Sequence, residues 1–184
     1  MFPSGVTTSS ESQIARLLAD PANTVNVAKA HLLLGLEAEE RNDWQGAAES
    51  YLRIVELAPA DDMVRYFGHN NRAYALLQLK RFEEAQAQCM AAIEVDGARH
   101  SAYRNLGLAC AALGRPADAA AAFMDAACRN LADARAWLHL QELVAANPDL
   151  LAQSPDLAER MAGLGDRLSR RPGQASPDHP GWSA

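Results

Sequence analysis

The chain has 184 residues, 49% apolar, 6% aromatic and 22% charged, enough for one domain or one short array of repeats with its own core. Alanine and leucine supply most of the apolar share, which favours close-packed helices over sheets built on Val, Ile and aromatic residues. A net charge of -6 and a mean hydropathy of -0.20 exclude a disordered or membrane-embedded class and argue against general binding to nucleic acid or anionic lipid.

The first segment, 1–10, has neither a basic start nor an apolar stretch of signal-peptide type and is expected to be a flexible N-terminus. Ser10-Glu11-Ser12-Gln13 is a capping-box pattern that predicts a short helix ending at Asp20-Pro21. Asn23 or Thr24 then caps a long helix, so 11–27 reads as an N-terminal helix and the entry to a first repeat. From there three stretches fall into register. Gly35, Ala73 and Gly107 lie 38 and 34 residues apart; Ala47, Ala85 and Ala119 follow each by twelve, and Tyr51, Cys89 and Phe123 by four more. The longer interval places four extra residues near Asp61 to Arg65. Apolar spacing is helical throughout, with Leu32, Gly35, Leu36 and Glu39 on one side of the first helix. Small residues of the first helix are expected to face small residues of the second, letting the backbones approach, while Tyr51 and Phe123 wedge between neighbouring units. Asn42-Asp43, Lys80-Arg81 and Gly114-Arg115-Pro116 punctuate the hairpins, the last as a glycine stop followed by a proline start.

Beyond the third stretch, 134–170 reads as capping helices. Asp133 to Ala146 starts like a fourth unit, with Trp137 and Leu140 in the expected slots, and stops at Asn147-Pro148. Ser154-Pro155 opens a last helix to about Arg170, whose Leu157, Met161, Leu164 and Leu168 would cover the open end of the array. The segment 171–184, with Pro172, Pro177, Pro180, Gly173 and Gly181, reads as a disordered tail. The longest apolar run of the chain, around Ala109 to Ala127, is broken by Gly114, Arg115, Pro116 and Asp118, so no membrane span is expected. Cys89, Cys110 and Cys128 form no C-x-x-C pair and read as three small buried hydrophobes in a reducing, cytoplasmic setting.

The repeat resembles the tetratricopeptide repeat, a unit of about 34 residues reading W-x2-L-G-x2-Y, then A-x3-F, then P. Residues 28–61 match it at Leu34, Gly35, Ala47, Tyr51 and Pro59. Residues 66–99 match at Ala73, Ala85 and Ala92, with Gly97 in the proline slot. Residues 100–133 match at Leu106, Gly107, Ala119, Phe123 and Ala126, with Leu131 in that slot. His31, His69 and Tyr103 replace the tryptophan, and Arg72 replaces a leucine. The resemblance implies an all-α, right-handed superhelix of three units capped at both ends, with a concave groove that takes a partner peptide. The family's inward slots fall on Lys29, Leu32 and Leu36 of the first unit, and on Phe67, Asn70, Asn71 and Tyr74 of the second. They continue with Ser101, Arg104, Asn105 and Leu108 of the third, then Arg135 and Leu138. Lysine and arginine there could hold a carboxylate, asparagine could pair both peptide donors and acceptors, and Phe67, Tyr74 and the leucines would be apolar anchors.

No phosphate loop, zinc motif or nucleophile elbow is present, so neither catalysis nor a metal or other cofactor is expected. His31, His69, His100 and His139 read as fillers of large-residue slots rather than ligands, and Glu39-Glu40, Asp61-Asp62 and Glu83-Glu84 as solvated charges. The expectation is a scaffold or adaptor for a protein or peptide partner. Two chaperone types stand as alternatives. Asn70-Asn71-Arg72-Ala73-Tyr74 resembles the N-R-A stretch of Hsp70 and Hsp90 adaptors, whose carboxylate clamp it matches at Asn71 alone; Leu32, Leu36, Ser101 and Asn105 depart from it. The class II chaperones of type III secretion are similar in size, charge and repeat count. A self-assembling oligomerisation module is the remaining alternative.

Overall fold

A computed structural model of the chain describes residues 9–170, which hold ten helices and no strand. In order these are α1 (Ser9–Leu18), α2 (Thr24–Glu40), α3 (Trp44–Leu57), α4 (Asp62–Gln78), α5 (Phe82–Val95), α6 (His100–Ala112), α7 (Pro116–Arg129), α8 (Ala134–Ala146), α9 (Asp149–Gln153) and α10 (Pro155–Ser169). The expected tail 171–184 and positions 1–8 lie outside the described residues. Ser9 and Ser10, placed by the sequence in a flexible segment, belong to α1.

Three tight turns of one design make the hairpins. Asn42, Lys80 and Gly114 take left-handed backbone angles, with φ of 57°, 60° and 71°. The following N–H groups of Asp43, Arg81 and Arg115 each donate back to Ala38, Leu76 and Cys110 carbonyls at 2.9 Å. These bonds satisfy carbonyls that the helix end leaves open. Between hairpins, linkers 58–61, 96–99 and 130–133 are equally short. Asp61 and Asp133 close two of them as N-caps, accepting from the N–H of Val64 and of Arg135 at 3.1 Å. The four extra residues of the longer repeat therefore do not lengthen a loop. They form an additional first turn of α4, which has 17 residues against 13 in α6; four residues are close to one helical turn, so the buried face keeps its direction.

Each helix from α1 to α7 packs on the next, and α2 also meets α4, and α4 meets α6. Stacked hairpins of this kind form a solenoid. Its core is built from alanines and a few rings: Tyr51, Ile54, Ala28, Ala47 and Val64 in one cluster, Tyr66, Ala92 and Ala102 in the next, and Phe123, Met124, Leu140, Leu157 and Leu164 at the end. The contact inside a hairpin differs from the small-on-small expectation. Tyr51 packs directly on Gly35, and Phe123 on Gly107, so close that a Cβ on either glycine would lie within 2.5 Å of ring carbons. A ring against a missing side chain, rather than two small residues, sets the approach of these paired helices.

At the end of the stack, Leu157 and Leu164 of α10 join the Phe123 cluster, with Met161 and Leu168 packed beside them. The short α9 between α8 and α10 was not separable in the sequence. At the other end, Ser10 does not cap α1; its hydroxyl donates to Glu37 and ties α1 to α2. Cys89 and Cys110 are buried, but Cys128 is exposed, contrary to its reading as a buried hydrophobe. No described helix is long and apolar enough to cross a membrane.

Candidate functional site

The first helices of successive hairpins, with α8 after them, enclose a concavity of about 250 Å³. Helical spacing turns Asn70, Asn71 and Tyr74 of α4 onto one face, and Ser101, Arg104 and Asn105 of α6 onto another. These six line the space together with Glu39 of α2 and Arg135 of α8. Tyr74 is held by an edge-to-face contact with Trp44, with ring centroids 5.7 Å apart.

A single chain of hydrogen bonds runs along one wall. Asn105 Nδ2 donates to Asn70 Oδ1 at 3.2 Å, and Asn70 Nδ2 donates to Asn71 Oδ1 at 3.0 Å. The Asn71 amide bonds the Tyr51 hydroxyl, which itself donates to Glu39 Oε1 at 2.7 Å. The chain ends on a carboxylate at one side and, at the other, on Asn105 Oδ1, a buried acceptor without a partner. Burial pushes the Glu39 carboxyl above its ordinary range, against the pull of the Tyr51 hydroxyl. The Tyr51 hydroxyl is itself pushed up, by burial first and by its bond to Glu39 second.

The opposite wall is organised by Asp133, whose side chain is 9% exposed. It accepts from Arg135 Nε and Nη2 at 2.8 Å each, from Arg104 Nη1 at 3.0 Å and from His100 Nε2 at 3.0 Å. The Arg135 bond, chiefly, holds the Asp133 carboxyl far below the usual carboxylate range, although burial opposes it. Burial lowers the Arg104 guanidinium, and the neighbouring charge of Arg135 adds to that.

Seven of the residues placed in the groove by sequence therefore share one space: Asn70, Asn71, Tyr74, Ser101, Arg104, Asn105 and Arg135. The other six do not line it. Lys29 reaches across to Asp61 at 3.6 Å. Leu32 packs on the Tyr51 cluster and Leu108 on the Phe123 cluster. Leu36 faces Ser10 and Leu33 in a depression beside α1. Phe67 meets Tyr66 edge-on and lies under the Arg99 guanidinium, 5.3 Å from its carbon. Leu138 is 52% exposed and is not part of the lining. Of the expected apolar anchors, Phe67, Leu32 and Leu108 are thus spent on packing while Leu36 and Leu138 stay exposed, and the residues lining the concavity are polar apart from Tyr74.

Glu39 is a half-buried residue of the lining rather than a solvated charge, and Asp133 organises a wall from outside the set of sequence candidates. For Glu39 the signal was present: it stands one helical turn beyond Gly35 on the apolar side of α2, where a carboxylate is drawn inward. Asp133 could be read only as an N-cap, because its partners His100 and Arg104 lie 33 and 29 positions away, at the other end of the same repeat. The remaining histidines have ordinary neighbours: His69 Nδ1 lies 2.9 Å from Gln88 Oε1, and His139 lies over Phe123, centroids 5.4 Å apart. Among the described residues no three His, Cys, Asp or Glu side chains gather as a metal site.

Solved structures repeat this architecture. The Arabidopsis OM64 TPR domain matches at 26% identity and a TM-score of 0.60, over 65% of this chain and 96% of that one. The TPR2B domain of yeast Sti1, in complex with pHsp70, matches at 26% identity and a TM-score of 0.51, over 76% and 97%. MamA from Desulfovibrio magneticus RS-1, residues 41 to the end, matches at 20% identity and a TM-score of 0.64 over 89% and 87%, a likeness of fold. Among curated proteins no sequence matches. The family model for the tetratricopeptide repeat matches residues 8–62 and 70–135, most of the stretch over which the turns, linkers and ring-on-glycine contacts recur, and the chain belongs to that family.

Proposed function

We propose that the chain is a non-catalytic protein-interaction scaffold whose concavity between α2, α4, α6 and α8 receives an extended segment of a partner protein. The observation that carries this reading is the convergence of eight polar or amphipathic side chains from four helices on one space. Asparagine amides supply both donors and acceptors for a peptide backbone, and Arg135, 66% exposed, supplies a cation at one end. Family membership supports the scaffold role, and the TPR2B domain of Sti1 is a relative in complex with pHsp70.

An Hsp70-type carboxylate clamp is not the form favoured here. Of its slots only Asn71 is matched, and two of the others, Leu32 and Leu36, turn to the core and towards α1. The occupant is therefore a partner segment recognised by the polar wall itself.

The cleanest test fills the space without removing a bond. Ser101 lines the concavity from the first turn of α6, and Ser101→Trp would occupy it. Partners captured from native extract by the wild type should be lost by Ser101→Trp at an unchanged melting temperature. An identical captured set, identified by mass spectrometry, would reject the groove. Substituting Asn71, Tyr74 and Arg104 is a poorer test, because all three also hold the fold through Tyr51, Trp44 and Asp133. Light scattering across a concentration series separates a monomeric receptor from a self-assembling module.

A further inference from the structure

We infer that Glu39 is a subsite for a cation carried by the bound segment, a lysine or arginine side chain, so that the groove reads a base on the α2 side. This deepens the groove reading above and rests on it. The argument is one of unmatched charge. At the far wall Arg104 and Arg135 already share the Asp133 carboxylate. At the near wall Glu39 receives one neutral hydroxyl, that of Tyr51, and no described lysine or arginine is paired with it. The one lysine or arginine of its own helix, Lys29, is paired with Asp61.

A half-buried carboxylate without a counter-charge is unfavourable in the free protein, and a ligand cation removes that penalty while forming a charge-assisted bond. The Tyr51 hydroxyl, held in turn by the Asn71 amide, fixes the carboxylate in place and leaves its second oxygen open to the concavity that Glu39 lines. Two guanidinium groups against one carboxylate leave the opposite wall positive. Recognition of a base beside Glu39 thus also sets the direction in which the segment lies, its acidic neighbours towards Arg135.

The test uses a phage-displayed library of random dodecapeptides selected on the full chain, on Ser101→Trp and on Glu39→Gln. Gln keeps an acceptor for Tyr51 and removes only the charge. Peptides that bind the wild type and are lost on Ser101→Trp should share a lysine or arginine. Replacing that base with glutamine in the synthetic peptide should weaken wild-type binding roughly tenfold, the size of one hydrogen bond to a charged group, and leave Glu39→Gln binding unchanged. Groove-dependent peptides with no common base, or an equal loss on Glu39→Gln, would overturn the cation subsite and leave the groove standing. If no selected peptide is sensitive to Ser101→Trp, the groove reading fails and the subsite falls with it.

Discussion

The ring of Tyr51 fills the place where Gly35 carries no side chain: a Cβ there would lie 2.3 Å from Cε1. Phe123 stands in the same relation to Gly107, at 2.4 Å from Cδ1. In the middle hairpin the corresponding residues are Ala73 and Cys89, both wholly buried, so a methyl group is present where the ring is replaced by a thiol. The helix pairs thus keep their approach by trading volume across the contact. Gly35→Ala and Gly107→Ala should each lower stability by about 2 kcal/mol through overpacking, read from urea unfolding midpoints. Ala73→Gly should cost about 1 kcal/mol, from helix propensity and a lost buried methyl. Equal, small losses at the two glycines would show that the rings can swing aside.

The three turns differ in how well their residues suit a left-handed backbone. Gly114 is free of the Cβ penalty, Asn42 tolerates it, and Lys80, exposed and with φ of 60°, bears it in full. Lys80→Gly should therefore raise stability by about 0.5–1 kcal/mol, and Gly114→Ala should lower it by about 1 kcal/mol. A melting series of the two variants checks both signs at once.

Much of this architecture was legible because its determinants are local. Asn42, Lys80-Arg81 and Gly114-Arg115-Pro116 mark turns within a few residues of themselves, and the spacing of Gly35, Ala73 and Gly107 fixes the register of the array. The candidate site was legible in part, since one helical face already groups Asn70, Asn71 and Tyr74, or Ser101, Arg104 and Asn105. What failed depends on how helices distant in sequence turn towards one another. Leu32 and Leu36 occupy inward slots by register, yet Leu32 packs on the Tyr51 cluster and Leu36, 40% exposed, faces a depression beside α1. Glu39 and Asp133 acquired their roles from Tyr51, Arg104 and His100, whose contacts with them span 12 to 33 positions.

The carboxylates on the two walls of the concavity should shape acid stability in opposite ways. The folded state holds the Asp133 carboxyl below its unfolded value, so its stabilisation is complete above about pH 4 and is lost as pH falls below that. Glu39 is shifted the other way: the folded state binds its proton more readily, so stability declines as pH rises from about 4.3 through its raised folded value. Asp133→Asn should flatten the acid limb of a stability–pH curve and cost about 2 kcal/mol at neutral pH, since Arg104, 14% exposed, loses its charged partner. Glu39→Gln should remove the decline on the upper side instead. Denaturant titrations from pH 3 to 7 distinguish the two; a wild-type acid limb retained in Asp133→Asn would place the acid-sensitive group elsewhere.

The amide chain makes an asymmetric prediction for its two deepest members. Asn70 Oδ1 accepts from Asn105 Nδ2, and beyond that bond Asn105 is left only the Asn70 main-chain oxygen, at 3.5 Å. Asn70→Leu strips the better acceptor from a side chain that is 1% exposed and breaks the link to Asn71, which should cost about 2 kcal/mol. Asn105→Leu also orphans a partner, the Asn70 oxygen, but it removes at the same stroke the acceptor that is already unpaired. Its loss should therefore be the smaller of the two. Removing both partners together leaves neither stranded, so the double variant should fall short of the summed losses by about 1 kcal/mol in a double-mutant cycle. Strict additivity would mean that the buried amide bond contributes nothing to holding α4 against α6, and a larger loss at Asn105 than at Asn70 would mean that Asn105 Oδ1 is satisfied in solution.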